Sequence, residues 1–255
     1  MPLEIVTVPC LADNYAFLIH SSDTGKTALV DAPEAAAISA ELARRGWSLS
    51  HILITHHHGD HIDGVETLRA ASGARVVGAA ADARRLPRLD LTVAEGDRFA
   101  FAGHEVQVFD VSGHTIGHIA YYIADANAVF TADSLMALGC GRLFEGSAEQ
   151  MWASLSKLAV LPPETMVCSG HEYTAANAKF ALTVEPGNAA LIARAKSIAA
   201  ARASGTPTVP STLAEELATN PFLRAHLSEV KAAIGMQGAG DAECFAEIRA
   251  RKDRF

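Results

Sequence analysis

The chain has 255 residues, 49% hydrophobic and 20% charged, with a formal net charge of −8 at pH 7. That size and composition support one large core, or a core with a small appended domain, and the acidity argues against nucleic-acid binding driven by bulk attraction to phosphate. Four scattered cysteines, Cys10, Cys140, Cys168 and Cys244, form no Cys-x-x-Cys pair and read as reduced, buried thiols of a cytoplasmic protein.

The first residues, with Glu4, Pro9 and Asp13, are not expected to form a secretory signal, and no run approaches the ~20 apolar residues of a membrane span. Residues 5–8, 16–19 and 28–30 read as strands. A helix is expected from about residue 33, with Leu42 and Ala43 on its apolar face, Arg44 and Arg45 in its last turn and Gly46 as a left-handed cap. The apolar run 51–54 leads into a histidine-rich segment and a helix expected over 62–72. Apolar strands follow at 106–111, 128–131 and 165–168. Between the last two, the Ser147-x-x-Gln150 spacing before Trp152, Leu155 and Leu158 predicts a capping box and a helix that Pro162 stops. After Tyr173 alanine-rich helical segments take over at 175–182, 188–203, 212–217 and 242–251, separated by the linker 204–207 and by Gly235, Gly238 and Gly240. A domain boundary is therefore expected near 172. No solenoid-like repeat is present.

The segment Thr55-His56-His57-His58-Gly59-Asp60-His61 places four histidines and an aspartate in seven residues. In an extended loop side chains alternate, so His56 and His58 converge while His57 points away. Asp60 and His61 follow where the chain turns, aimed at a neighbouring position, which points to two ions rather than one. One metal is saturated by about three or four protein ligands, and three further candidates, His114, Asp133 and His171, each follow an apolar run. Ligands at the carboxyl ends of several strands are how a layered α/β enzyme builds a site above its sheet. By contrast His20, His51, His104 and His226 read as surface or hydrogen-bonded core residues, and His118 as structural. The donors, imidazoles and carboxylates without a thiolate, suit zinc and also iron or manganese.

The His-x-His-x-Asp-His block with His114, Asp133 and His171 resembles the metallo-β-lactamase superfamily. Within it the chain is most similar to the glyoxalase II family, the hydroxyacylglutathione hydrolases, through Asp13-Asn14-Tyr15, Gly139-Cys140-Gly141-Arg142-Leu143-Phe144-Glu145-Gly146, Gly170-His171-Glu172-Tyr173-Thr174 with Asn177, Asn220-Pro221-Phe222-Leu223-Arg224, and the end from Arg249 to Phe255. The resemblance implies an α/β fold, the four-layer αβ/βα sandwich of that superfamily with a small C-terminal helical domain. Residues 1–172 would form the binuclear metal hydrolase domain and 173–255 a helical glutathione-substrate-binding domain. It implies two divalent ions, zinc first, with His56, His58 and His114 on one, Asp60, His61 and His171 on the other, and Asp133 bridging. A hydroxide between the ions would attack the acyl carbon, with Asp60 a candidate proton acceptor.

The substrate so implied is a small-molecule glutathione thioester, S-D-lactoylglutathione or another 2-hydroxyacylglutathione, hydrolysed in the second step of methylglyoxal detoxification by a cytoplasmic monomer that binds neither nucleic acid nor membrane. A thiol of pKa near 8.5 leaves as thiolate with modest help. Glutathione carries two carboxylates, which calls for fixed cations; Arg142, Tyr173, Arg249 and Lys252 stand where the family's glutathione contacts lie. Two positions depart from some members: Arg142 replaces lysine, and Phe144 replaces tyrosine and is expected only to pack. The alternatives are another hydrolase of the superfamily, such as a lactonase or β-lactamase, a glutathione persulfide dioxygenase, and a non-catalytic or RNA-processing module.

Overall fold

The computed structural model describes residues 3–255, which form two compact units: the residues up to Val111 with Ile116–Ala132, and Ser112–Thr115 with Asp133–Phe255.

In the first unit β1 (Glu4–Cys10), β2 (Asn14–Ser21) and β3 (Lys26–Val30) form an antiparallel meander. The chain then leaves through α1 (Ala35–Arg45) and returns parallel as β4 (Ser48–Leu53). After α2 (Gly59–Ile62) and α3 (Val65–Ser72) it adds β5 (Arg75–Ala79) and β6 (Leu91–Val93), completing a mixed sheet in the order 1-2-3-4-5-6. Parallel neighbours need such crossovers, and the crossover helices cover one face: Ile38, Leu42, Val65 and Leu68 pack on Leu18, Leu29, Ile52 and Val76. Each such buried aliphatic side chain contributes about 1.5–3 kcal/mol relative to exposure.

Four antiparallel strands, β7 (Arg98–Phe101), β8 (His104–Asp110), β9 (Ile119–Ile123) and β10 (Ala128–Ala132), follow. Phe17 on β2 meets Phe130 on β10 edge to face at 5.7 Å, and the Tyr121 hydroxyl donates to the Ile54 carbonyl at 2.8 Å. Burial on both faces is why β9 and β10 read as unbroken apolar runs rather than alternating ones.

The predicted α1 ends as expected, with Gly46 at φ 68° donating its N–H to Ala43. The helix expected over 62–72 is instead broken after Ile62 and restarts at Val65. Gly64 donates its N–H to the Ala32 carbonyl at 2.8 Å, and a Cβ there would stand 2.9 Å from the Ala35 nitrogen. That close approach fixes the short turn carrying Asp60 and His61 separately from α3.

The second unit contains the small hairpin β11 (Leu135–Met136) and β12 (Gly139–Cys140), α4 (Ala148–Leu158), and β13 (Met166–Ser169). The Ser147–Gln150 capping box opens α4 as predicted. Next come α5 (Thr174–Val184), α6 (Ala189–Ala203), β14 (Ser211–Thr212) paired with β13, α7 (Leu213–Thr219), α8 (Ser228–Ala233) and α9 (Asp241–Arg254). Leu138, Ala178, Ala181, Leu191 and Ile198 form one apolar cluster. Phe222 links Phe180 at 6.1 Å to Phe245 at 5.6 Å.

Candidate metal centre

In the first unit the histidine-rich segment continues from β4 and turns at Gly59 into α2. Asp31, at the carboxyl end of β3, organises it. Its carboxylate accepts the Thr55 N–H at 2.9 Å and the Thr55 hydroxyl at 2.8 Å. The Thr55 oxygen in turn stands 3.0 Å from His56 Nδ1. With the hydroxyl hydrogen committed to Asp31, that oxygen accepts from His56 Nδ1–H, which leaves the His56 Nε2 lone pair facing His58 Nδ1 at 3.2 Å. His61 Nδ1 lies 2.8 Å from Asp31 Oδ2, so it donates there and turns Nε2 outward, 3.8 Å from Asp60 Oδ2. The Asn14 amide donates to both the carbonyl and Oδ2 of Asp60 at 3.0 Å. His56 and His61 are fully buried.

The intervening His57 turns to a different partner: its Nδ1 is 3.1 Å from Asp82 Oδ2, and Arg85 reaches both residues. His118 is buried, with its ring stacked on His56 at 4.5 Å and its Nδ1 3.2 Å from the Ile119 carbonyl. The remaining histidines have structural company: His20 stacks on Trp47 at 4.0 Å, His51 stands beside Ser50, His104 meets Asp125 at 2.7 Å, and His226 lies against Trp152.

In the second unit three further candidates gather around one oxygen. Asp133 Oδ2 is 3.4 Å from His114 Nε2 and 3.4 Å from His171 Nε2, and all three residues are buried. His114 Nδ1 donates to the Arg142 carbonyl at 2.7 Å, which fixes its tautomer and leaves Nε2 as the donor atom. Ala132, just before Asp133, sits at φ 41°, a conformation costing a residue with a Cβ about 1–3 kcal/mol. Tyr173 stacks on His171 at 4.7 Å with its rings nearly parallel, and Phe144, largely exposed, stands edge-on to His114 at 5.3 Å.

Donors held about 2.0–2.1 Å from a tetrahedral ion lie about 3.3 Å apart. The spacings within each half, 3.2 Å for His56–His58 and 3.4 Å for His114–Asp133 and His171–Asp133, match that edge. Closely facing nitrogen and carboxylate lone pairs repel unless a cation or proton lies between them. The residues present therefore fit divalent metal.

The predicted substrate cations cluster at the end of α9. Arg142 Nε is 3.5 Å from Asp253 Oδ1, to which Arg249 also donates at 2.9 Å. Arg142 is mostly exposed, whereas Arg249 is buried, donates to the Cys140 carbonyl at 3.0 Å and lies over the Phe222 ring. Lys252 Nζ approaches the Ala176 carbonyl at 3.4 Å and sits over Phe180 and Phe255. Burial first, then the neighbouring Arg249 charge, holds the Lys252 ammonium below the usual lysine range. Burial pushes the Cys140 thiol up to about 11, with Arg249 opposing, and raises Cys168 further.

Sequence reasoning did not single out Asp31. Its signal was its place: it too comes shortly after an apolar strand, as His114, Asp133 and His171 do.

A family model described as the metallo-beta-lactamase superfamily matches residues 12–171, and one described as hydroxyacylglutathione hydrolase C-terminus matches residues 172–255. A hydroxyacylglutathione hydrolase of Ruegeria pomeroyi is 66% identical over 255 residues, covering all of both chains. Among solved structures, ETHE1 from Myxococcus xanthus is 26% identical with a TM-score of 0.67, covering 98% of this chain and 90% of that one. TTHA1623, solved in a di-iron-bound form, is 29% identical with a TM-score of 0.54, covering 67% of this chain and 91% of that one.

Proposed function

The chain belongs to the hydroxyacylglutathione hydrolases of the metallo-β-lactamase superfamily, with that superfamily's α/β sandwich and a C-terminal helical region, and from that membership we propose that it converts S-D-lactoylglutathione, or another 2-hydroxyacylglutathione, and water to glutathione and the hydroxy acid. In this reading it serves the second step of methylglyoxal detoxification. The observation that carries the site assignment is the placement of Asp133 Oδ2 at 3.4 Å from both His114 and His171: one carboxylate oxygen addresses two imidazoles that the resemblance assigns to different ions.

The proposed ligand set is His56, His58 and His114 for one divalent ion and Asp60, His61 and His171 for the other, with Asp133 shared. The di-iron form of TTHA1623 supports a pair of ions; zinc is proposed, with iron and manganese the other candidates for this donor set. When bound, such ions lower the pKa of water towards about 7 and polarise an acyl oxygen. Asp31 supports this by locking the histidine tautomers, and Asn14 by orienting Asp60, the proposed proton acceptor. The thiol leaving group, with a pKa near 8.5, needs little protonation to depart. Arg142, Tyr173, Arg249 and Lys252 are proposed to receive the glutathione part, residues 1–172 carrying the metal chemistry and 173–255 the substrate binding. Support for this division comes from the two family models, one ending at residue 171 and the other starting at residue 172.

No helix among the described residues is long and apolar enough to cross a membrane. The four cysteines are buried and free, which supports the proposed cytoplasmic location; a monomer acting on a small molecule is proposed with it. A persulfide dioxygenase, lactonase or β-lactamase is not favoured, since relatives at 55–66% identity over the full chain bear the hydroxyacylglutathione hydrolase name. The test is the purified protein with S-D-lactoylglutathione, followed at the thioester absorbance, beside oxygen uptake with glutathione persulfide. Thioester loss without oxygen uptake is expected; the reverse overturns the reading.

A further inference from the structure

Asp133 and His114 are joined by a short piece of backbone. The chain leaves Asp133, forms the β11–β12 hairpin, closes it with Gly141 N–H donating to the Ser134 carbonyl at 3.1 Å, and reaches Arg142, whose carbonyl accepts His114 Nδ1–H. The packing at this return leaves no slack. A Cβ on Gly141 would stand 1.9 Å from the Asp133 carbonyl oxygen and 3.0 Å from His114 Nδ1. Any displacement of the hairpin therefore moves the carboxylate at its start and the imidazole bonded at its end.

The hairpin has little regular hydrogen bonding of its own, and its turn is held by side chains from the helices. Leu138, at φ 57°, donates its N–H to Glu216 Oε2 at 2.8 Å. The Asn220 amide donates to the Met136 carbonyl at 3.1 Å, the Gly139 carbonyl at 3.0 Å and Glu216 Oε2 at 3.0 Å. The Asn177 amide donates to the Ala137 carbonyl at 3.0 Å. Glu216 is fully buried, and its second oxygen accepts from Ser211 at 2.6 Å and from Arg194. A buried carboxylate is tolerated only when so fully paired.

We propose that Glu216, Asn220 and Asn177 are positioning residues for the metal centre, acting through the hairpin on Asp133 and His114. The helical region is then a clamp on the ligand set as well as a surface for substrate. This inference rests on the ligand assignment proposed above. Partners that orient ligands typically change metal affinity about 10–100-fold when lost.

The experiment compares metal-loaded wild type with Asn177→Ala, Asn220→Ala and Glu216→Gln, measuring metal release to a chelator, kcat and Tm. Asn177→Ala deletes one hydrogen bond and keeps the rest of the network, so it covers the case in which Glu216→Gln does not fold. Glu185→Gln serves as the structural control: it breaks the buried pair in which Arg224 donates twice to Glu185 at 2.9 Å, away from the hairpin. The expected result is metal release faster by about 10–100-fold and a lowered kcat in the hairpin variants, with Glu185→Gln lowering Tm alone. Wild-type release and kcat in the folded hairpin variants, or the same Tm-only pattern as the control, overturn the inference. Asp133→Ala run in parallel separates the two levels. Its loss of metal alongside unaffected hairpin variants removes the clamp alone, and its retention of two equivalents removes both the clamp and the ligand reading beneath it.

Discussion

Asp31 Oδ2 lies 2.8 Å from His61 Nδ1, deep in the first unit, and the same carboxylate holds Thr55 and through it His56. One acid thus sets the tautomers of two proposed ligands of different ions. Asp31→Ala should lower metal affinity about 10–100-fold and leave the Thr55 donors unpaired, at about 1–3 kcal/mol of stability. Chelator competition and thermal melts check both. Wild-type affinity in a folded Asp31→Ala protein would show that the ligands orient themselves.

His57 lies between two proposed ligands yet bonds Asp82. His57→Ala is expected to keep its metal content while losing some stability, since Asp82 retains Arg85 as a partner. Metal analysis of that variant decides the matter, and loss of an equivalent would place the His57 ring in the site.

The two cations of α9 should behave differently. Arg249→Ala strips the buried Cys140 carbonyl of its donor, so it should lower Tm, by a loss of about 1–3 kcal/mol, as well as raise KM. Lys252→Ala should raise KM with little change in Tm. A charge-assisted hydrogen bond of about 1.5–3 kcal/mol, if made equally in ground and transition states, appears as affinity alone. Unchanged kinetics with a glutathione thioester at low salt in both variants would make the basic end of α9 structural.

The lowered Lys252 pKa carries a sign. Its ammonium loses its proton at a lower pH than the ordinary 10.5, so the affinity it supplies is present below that depressed pKa and disappears as pH rises through it. KM should therefore climb on the alkaline side before 10.5, and Lys252→Arg should remove the climb, because guanidinium stays charged. A KM–pH profile identical in the two proteins contradicts this.

Much of the candidate site was legible because the proposed ligand block is local. His56, His58, Asp60 and His61 lie within seven residues, and His114, Asp133 and His171 announce themselves by following strands. Gly46 and the Ser147–Gln150 box were equally local signals and mark the helix ends found. What escaped depends on distant partners. The break at Gly64 comes from backbone of Ala32 and Ala35, and Glu216 reads as an ordinary helix acid until it meets Leu138, 78 residues away. The burial of Arg249 was hidden for the same reason, since α9 reads as a charged, solvated end until Cys140 and Phe222 surround it.

The buried thiols give a fifth outcome. With Cys140 and Cys10 pushed up to about 11 by burial, little thiolate exists at neutral pH. Native protein should resist a thiol reagent and keep its activity, and the four cysteines should react only after denaturation. Rapid native modification with loss of turnover would contradict a mechanism without a thiol nucleophile.

The most direct test of the account titrates metal-free protein with zinc while following hydrolysis of S-D-lactoylglutathione. A shared Asp133 and two ligand sets predict that uptake and activity saturate together at two equivalents per chain; full activity at one equivalent, or two bound equivalents without thioester hydrolysis, would contradict it.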